Sequence, residues 1–196
     1  MLSLSEARLL LRRLDGEPAD AIESEILECK AWDPSPAAFQ SQVRDLREAV
    51  VCLANQKGGT ILLGIADRKR TRREAIQGIG DLDPTPLRKA VYAGPAPNIL
   101  VDIEDLVEPE GRLLLIHVPR GIPPHTTSDG VGKIRVGKEC KPLTGAELAR
   151  LMLAGGERDL TAEPLDGATL EDLDPRAAQD LQRLAATEGR KPELGG

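Results

Sequence analysis

Glu23-Ser-Glu-Ile-Leu-Glu28-Cys-Lys30 is the stretch whose residue types and spacing best suit chemistry. On an extended strand, side chains two apart share a face, so Glu28 and Lys30 project together. An acid and a lysine so placed suit metal-assisted phosphodiester cleavage. The acid holds Mg²⁺ or Mn²⁺, and the lysine orients water or offsets charge on the phosphorane. Glu23 has the wrong parity to share that face within a regular strand, and it converges only from a loop or bulge ahead of the strand. Asp67, just past the apolar segment TILLGIA at 60–66, sits where a strand end could present a third carboxylate. The same residues also read as an alternating strand with its polar face in water and a routine Glu–Lys pair. On the residues alone both readings stay open.

Arg68-Lys-Arg-Thr-Arg-Arg73 places five bases in six residues directly after Asp67. In a hairpin loop, Arg68, Lys69, Arg70, Arg72 and Arg73 would form a cationic tip for phosphate contacts, which give affinity without sequence specificity. A solvated turn is the plain alternative. Arg135 and Lys138, near a strand end, could extend such a track. Gly58-Gly59 ends a helix and opens a strand. A P-loop needs its glycines and lysine ahead of a helix, so no ATP site is argued. His117 lies in an apolar strand and reads as packed, whereas His125 in a Pro-Pro-His loop reads as exposed. Neither has a nucleophile at an interpretable spacing for a triad.

The elements that must position these residues follow from periodicity. Ser3-x-x-Glu6 is a capping box, and Ala7, Leu10, Leu11 and Leu14 form a helical stripe that Gly16 ends. Residues 23–31 read as extended. Pro36 opens a long helix with Phe39, Val43, Leu46, Val50 and Leu53 on one face, closed by Asn55 and the glycine pair. TILLGIA reads as a buried strand with residues 75–79 as its hairpin partner, and residues 85–92 as a short helix. Ile99, Val101 and Ile103 alternate as a half-buried strand, 108–111 is a turn, and LLLIHV at 113–118 is a central strand. Residues 133–136 form another strand, and Thr144-x-x-Glu147 caps a last helix.

Composition bounds the class. The 196 residues are 40% apolar and 30% charged, which suits one domain of about 100–200 residues. No stretch approaches the ~18 apolar residues of a membrane span, and the start lacks a signal-peptide pattern. Cys29, Cys52 and Cys140 form no CxxC pair, which reads as reduced thiols in a cytoplasmic protein without a zinc site. Trp32, Phe39 and Tyr92 are the whole aromatic complement, too few for a base-stacking platform. The net charge of −6 argues against a generic polyanion binder, but residues 157–196, with ten acids and five bases, carry most of it. The body is nearly neutral. The expected organisation is therefore a domain over 1–156 followed by an acidic linker and the start of a truncated C-terminal region over 157–196.

Taken in order, ESxxxExK (23–30), ANQKGG (54–59), TILLGIAD (60–67), PPH (123–125) and IRVG (134–137) give this chain a resemblance to the Schlafen AlbA-type domain. This family is often labelled a divergent AAA or DNA-binding domain in bacterial proteins. The resemblance covers residues 20–153. It implies an α/β fold of the α+β type, with a small mixed or antiparallel sheet packed against helices. It also implies a metal-assisted site for cutting structured RNA such as tRNA, with Glu23, Glu28 and Asp67 as Mg²⁺ or Mn²⁺ ligands and Lys30 beside them. Ala66-Asp67 stands where many relatives have two acids, and Cys29 replaces the usual aromatic. Family sites lie in a groove between two lobes, so a homodimer could complete one here. The expectation is a nucleic-acid partner, RNA before DNA, and no membrane. The rival readings are a non-catalytic DNA-binding module of a bacterial regulator or helicase-like protein, and a scaffold whose acidic tail binds protein.

Overall fold

Two short apolar strands, Leu27–Lys30 (β1) and Gly59–Leu63 (β2), run parallel in register, Leu27 opposite Thr60 and Lys30 opposite Leu63. A parallel pair needs a crossover, and the 16-residue helix Phe39–Ala54 (α3) supplies it. The antiparallel hairpin Asp102–Glu108 (β3) and Gly111–Val118 (β4) completes a four-stranded mixed sheet of order β1-β2-β4-β3. In the computed structural model, residues 2–156 are described except Arg70 and Pro123, together with Arg183. The chain divides into two compact units, Met1–Glu157 and Arg158–Gly196. The expected linker and truncated region lie outside the described residues, Arg183 apart.

Both faces of the sheet are covered, which is why its inner strands read as unbroken apolar runs rather than as an alternation. Ile61, Leu63, Leu114 and Ile116 pack under α3 and the helix Pro84–Tyr92 (α5), against Val43, Leu46, Val50, Leu53, Leu87 and Val91. Leu62, Leu113 and Leu115 face the opposite way, toward Ala7, Leu11, Leu14 and Ile22. These come from the capped helix Leu4–Leu11 (α1), a following 3₁₀ turn over Arg12–Asp15, and the short helix Ala19–Ile22 (α2). Cys29 joins this second layer. By strand parity, Glu28 and Lys30 must therefore face the α3 side, at the open edge of the sheet.

Gly64, at φ +106°, turns the chain out of β2. A Cβ there would lie 2.7 Å from Leu113 Cδ2 and 3.0 Å from the Gly78 carbonyl carbon. Its amide donates to Lys30 O at 2.8 Å, and its carbonyl accepts from the amides of Gln77 and Gly78. The Gly58 N–H donates to Leu53 O at 2.9 Å at the end of α3, and the missing side chain leaves room for the backbone of Val118–Arg120. The glycine pair is packing geometry, not a phosphate cradle.

Several expectations need correction. The basic stretch is no hairpin tip: a loop leads into the one-turn helix Arg72–Ala75 (α4), capped by Thr71, and a single bridge joins Ile65 to Ile76. β3 starts at Asp102, later than the alternation at 99–103 suggests, while Ile99 and Val101 are buried in the core. Lys133–Val136 (β5) pairs with an unanticipated strand, Glu139–Pro142 (β6), whose ECKP sequence carries no apolar pattern. His125 is buried rather than exposed. Cys52 and Cys140 form a disulfide, not free thiols, while Cys29 is free. The helix Gly145–Gly156 (α6) follows the Thr144–Glu147 capping box as read. Among the described residues, no helix is long and apolar enough to cross a membrane.

Candidate functional site

Glu28 is 7% exposed, an expensive place for a carboxylate without partners. Lys30 Nζ lies 2.8 Å from Glu28 Oε1, as their shared strand face requires. Arg135 of β5 reaches Glu28 Oε2 through Nη1. Its remaining guanidinium N–H groups donate to backbone carbonyls: Nη2 to Ser24 O at 2.9 Å and Leu27 O at 3.1 Å, and Nε to Ser24 O at 3.2 Å. A planar five-donor fork is the group that can satisfy one acid and two carbonyls together. Glu28, Lys30, Asp45, Glu48, Lys138 and Cys140 share the lining of a cavity of about 300 Å³ at this edge.

Glu23 approaches from the extended residue that ends α2, ahead of β1. Its Oε1 accepts the Cys29 amide at 3.0 Å. Burial pushes its carboxyl above the usual range. The Cys29 N–H opposes that shift, and the charges of Glu28 and Asp67 reinforce it. Burial alone would lower the Lys30 ammonium, yet its bond to Glu28 and the charges of Glu28, Glu23 and Asp67 hold it above its usual value. Glu23, Glu28, Asp67 and Lys30 thus share one electrostatic neighbourhood. Asp67 itself is exposed, beyond the end of β2.

An all-carboxylate donor set is the hard-oxygen chemistry that Mg²⁺ and Mn²⁺ take, and a divalent cation would offset the repulsion that Glu28 and Asp67 add to the burial of Glu23. In donor chemistry the three acids fit such an ion. As placed, both Glu28 oxygens are engaged by cations, and among the described residues no group of three or more His, Cys, Asp or Glu is arranged to hold a metal. A cation on Glu28 would exchange with one of its ion pairs.

The basic residues divide by their partners. Arg68, Lys69 and Arg73 are exposed in the loop and on α4, with Arg68 in the left-handed region at φ +57°. Arg72 turns inward, its Nε 2.9 Å from Glu110 Oε1 and its Nη2 2.5 Å from Glu108 Oε2, so it ties α4 to the β3–β4 turn. Arg70 lies outside the described residues. Lys138 reaches Asp20 Oδ2 at 3.3 Å on the surface. Arg135, expected to contact phosphate, is 2% exposed with its donors turned inward. It is a brace for Glu28.

Asn55 does more than stop α3. Its Nδ2 donates to His125 O and Lys133 O, each at 2.8 Å, and its Oδ1 accepts the His125 amide at 2.7 Å. It thereby fixes His125 and the start of β5 to the end of α3. A polar residue at a helix terminus beside the glycine pair was the available signal. His117 packs within the sheet, with Nδ1 3.2 Å from Thr60 Oγ1.

No curated protein matches the chain. Among solved structures, it is similar in fold to the DIP2311 protein from Corynebacterium diphtheriae, with a TM-score of 0.61 at 22% identity. That match covers 98% of this chain and 39% of the other, so this chain spans about two-fifths of that protein's length. The family model described as Schlafen, AlbA_2 matches residues 23–144, from the first glutamate of the candidate site to the cap of α6. This chain therefore belongs to the Schlafen AlbA_2 family, a membership that points to a nucleic-acid-binding domain.

Proposed function

We propose that this domain binds structured RNA, such as tRNA, at the edge of the sheet beside β1 and hydrolyses its phosphodiester backbone with a divalent cation. The observation that carries this reading is the placement of Glu28 and Lys30 side by side at the open edge of the sheet, 2.8 Å apart, with Glu23 held ahead of the strand by the Cys29 amide. Glu23, Glu28 and Asp67 would hold Mg²⁺ or Mn²⁺, which supplies water activation and charge neutralisation at the phosphate. Glu23, its Oε1 bound to the Cys29 amide, is held in place ahead of β1. Lys30, over a third exposed at its side chain, can turn an ammonium N–H toward a phosphate oxygen that gains charge. Arg68, Lys69 and Arg73 lie outside this centre and would hold flanking phosphates.

The second reading is a non-catalytic nucleic-acid-binding module. The engagement of both Glu28 oxygens by Lys30 and Arg135 favours it. Incubating the purified chain with tRNA and with duplex DNA, each with Mn²⁺ or with EDTA, separates the two. Cleavage of tRNA that needs Mn²⁺ supports the nuclease. Salt-sensitive binding without cleavage in any arm supports the module.

A further inference from the structure

One covalent bond fastens the candidate site from outside the sheet. Cys52, wholly buried on α3, is joined to the partly buried Cys140 on β6, 88 residues later. The β5–β6 hairpin is otherwise attached through polar contacts: Arg135 to Glu28, Lys133 to Glu48, Lys138 to Asp20, and Asn55 to the Lys133 carbonyl. It has little apolar surface to offer, and Val136 is 53% exposed. A two-stranded hairpin without an apolar face is marginal in water, and the disulfide is its one covalent fastening beside the bonds of Arg135 to Ser24 O, Leu27 O and Glu28. Cys140 Sγ also lies 3.7 Å from Arg135 Nη1, the nitrogen that holds Glu28.

We propose that Cys52–Cys140 is a thiol–disulfide exchange site, served by a dithiol reductant, that latches the β5–β6 hairpin and with it the grip of Arg135 on Glu28. Access is one-sided. Cys140 lines the cavity shared with Glu28 and Lys30, whereas Cys52 is wholly buried. A thiolate of the reductant attacks the Cys140 sulfur. The Cys52 sulfur leaves with the electron pair and takes a proton. The second thiol of the reductant then displaces Cys140, which also takes a proton, and the reductant ends as its own disulfide. Burial pushes the thiol pKa of Cys29 up, so it supplies no competing thiolate. The latch stands on the geometry alone. Its consequence rests on the nuclease reading: releasing the hairpin frees a Glu28 oxygen for a cation, so the reduced chain cleaves faster.

The test compares the full chain oxidised, reduced with dithiothreitol and desalted, and as Cys140→Ser, which leaves Cys52 in place. Thiol titration after denaturation should count one thiol in the oxidised chain and three in the reduced. Hydrogen exchange of amides 133–141 should accelerate at least about tenfold on reduction and in Cys140→Ser, while β2 and β4 stay protected. Unchanged exchange at 133–141 would overturn the latch, whatever the RNA assay gives. Faster exchange with Mn²⁺-dependent tRNA cleavage raised severalfold supports the whole proposal. Faster exchange with equal cleavage in both states overturns the regulatory consequence. Faster exchange without cleavage in either state overturns the nuclease reading and leaves the latch standing.

Discussion

The guanidinium of Arg135 is locked onto the carboxylate of Glu28, 107 residues earlier in the chain, in a pair 2% and 7% exposed. This joins the β5–β6 hairpin to the edge strand that carries the candidate chemistry. It also turns one residue of the expected phosphate track into the support of the acid cluster.

Breaking a buried ion pair typically costs about 3–5 kcal/mol, and without Arg135 the buried Glu28 would keep Lys30 alone. Arg135→Ala should therefore lower the urea midpoint sharply, and Arg135→Lys should recover only part of the loss because it cannot serve Ser24 O and Leu27 O together. A double-mutant cycle with Glu28→Gln should show strong coupling. An Arg135→Ala chain as stable as the parent would contradict the brace.

Glu23 sets the sign of a pH effect. Its folded carboxyl pKa is raised, chiefly by burial, so ionising it costs the folded chain more than the unfolded one. Stability should fall as pH rises from the ordinary carboxyl value, about 4.3, through the raised one. Glu23→Gln should match the parent at pH 4 and melt higher at pH 7. Saturating Mn²⁺ should raise the melting temperature of the parent and not of the variant, since a ligand that binds only the folded state stabilises it. A variant that melts lower at pH 7 would show that the carboxylate is stabilised where it sits.

The basic stretch should divide by partner. Neutralising Arg68, Lys69 and Arg73 should weaken RNA binding for every sequence alike. It should flatten the log–log salt dependence by about 0.7–0.9 per lost phosphate contact, with the fold intact. Arg72→Ala should do the reverse, lowering stability through the lost bonds to Glu108 and Glu110 while leaving the salt slope unchanged. A salt slope that shifts equally in both variants would contradict this division.

Local signals carried most of the architecture. Both capping boxes, the apolar stripe of α3 and the buried strands β2 and β4 lie in short windows with strong periodicity or side-chain chemistry, and they form where expected. Glu28 lies on the segment read as extended and Asp67 just past the TILLGIA strand, whereas Glu23 ends the short helix Ala19–Ile22, an unanticipated element. What escaped depends on distant partners. Strand β6 has a polar sequence and is held by pairing with β5 and by a disulfide to α3. Arg72 and Arg135 look like surface bases, and only the acids brought to them by the fold turn them inward. The reduced-thiol reading failed for the same reason, because spacing along the chain does not reveal that Cys52 and Cys140 meet.

The most direct measurement is single-turnover cleavage of tRNA in Mn²⁺ by the parent and by Glu28→Gln, with binding measured on the same samples. Glu28→Gln keeps the size of the side chain and one acceptor oxygen for Lys30 or Arg135 while removing the charge a cation needs. A divalent-cation nuclease at this edge should show Mn²⁺-dependent cleavage by the parent, a loss of at least about a hundredfold in the folded variant, on the scale of removing a group that acts on the transition state, and RNA binding retained within severalfold. Cleavage that persists in Glu28→Gln, or a parent that binds RNA without cutting it in Mn²⁺, would overturn the nuclease reading.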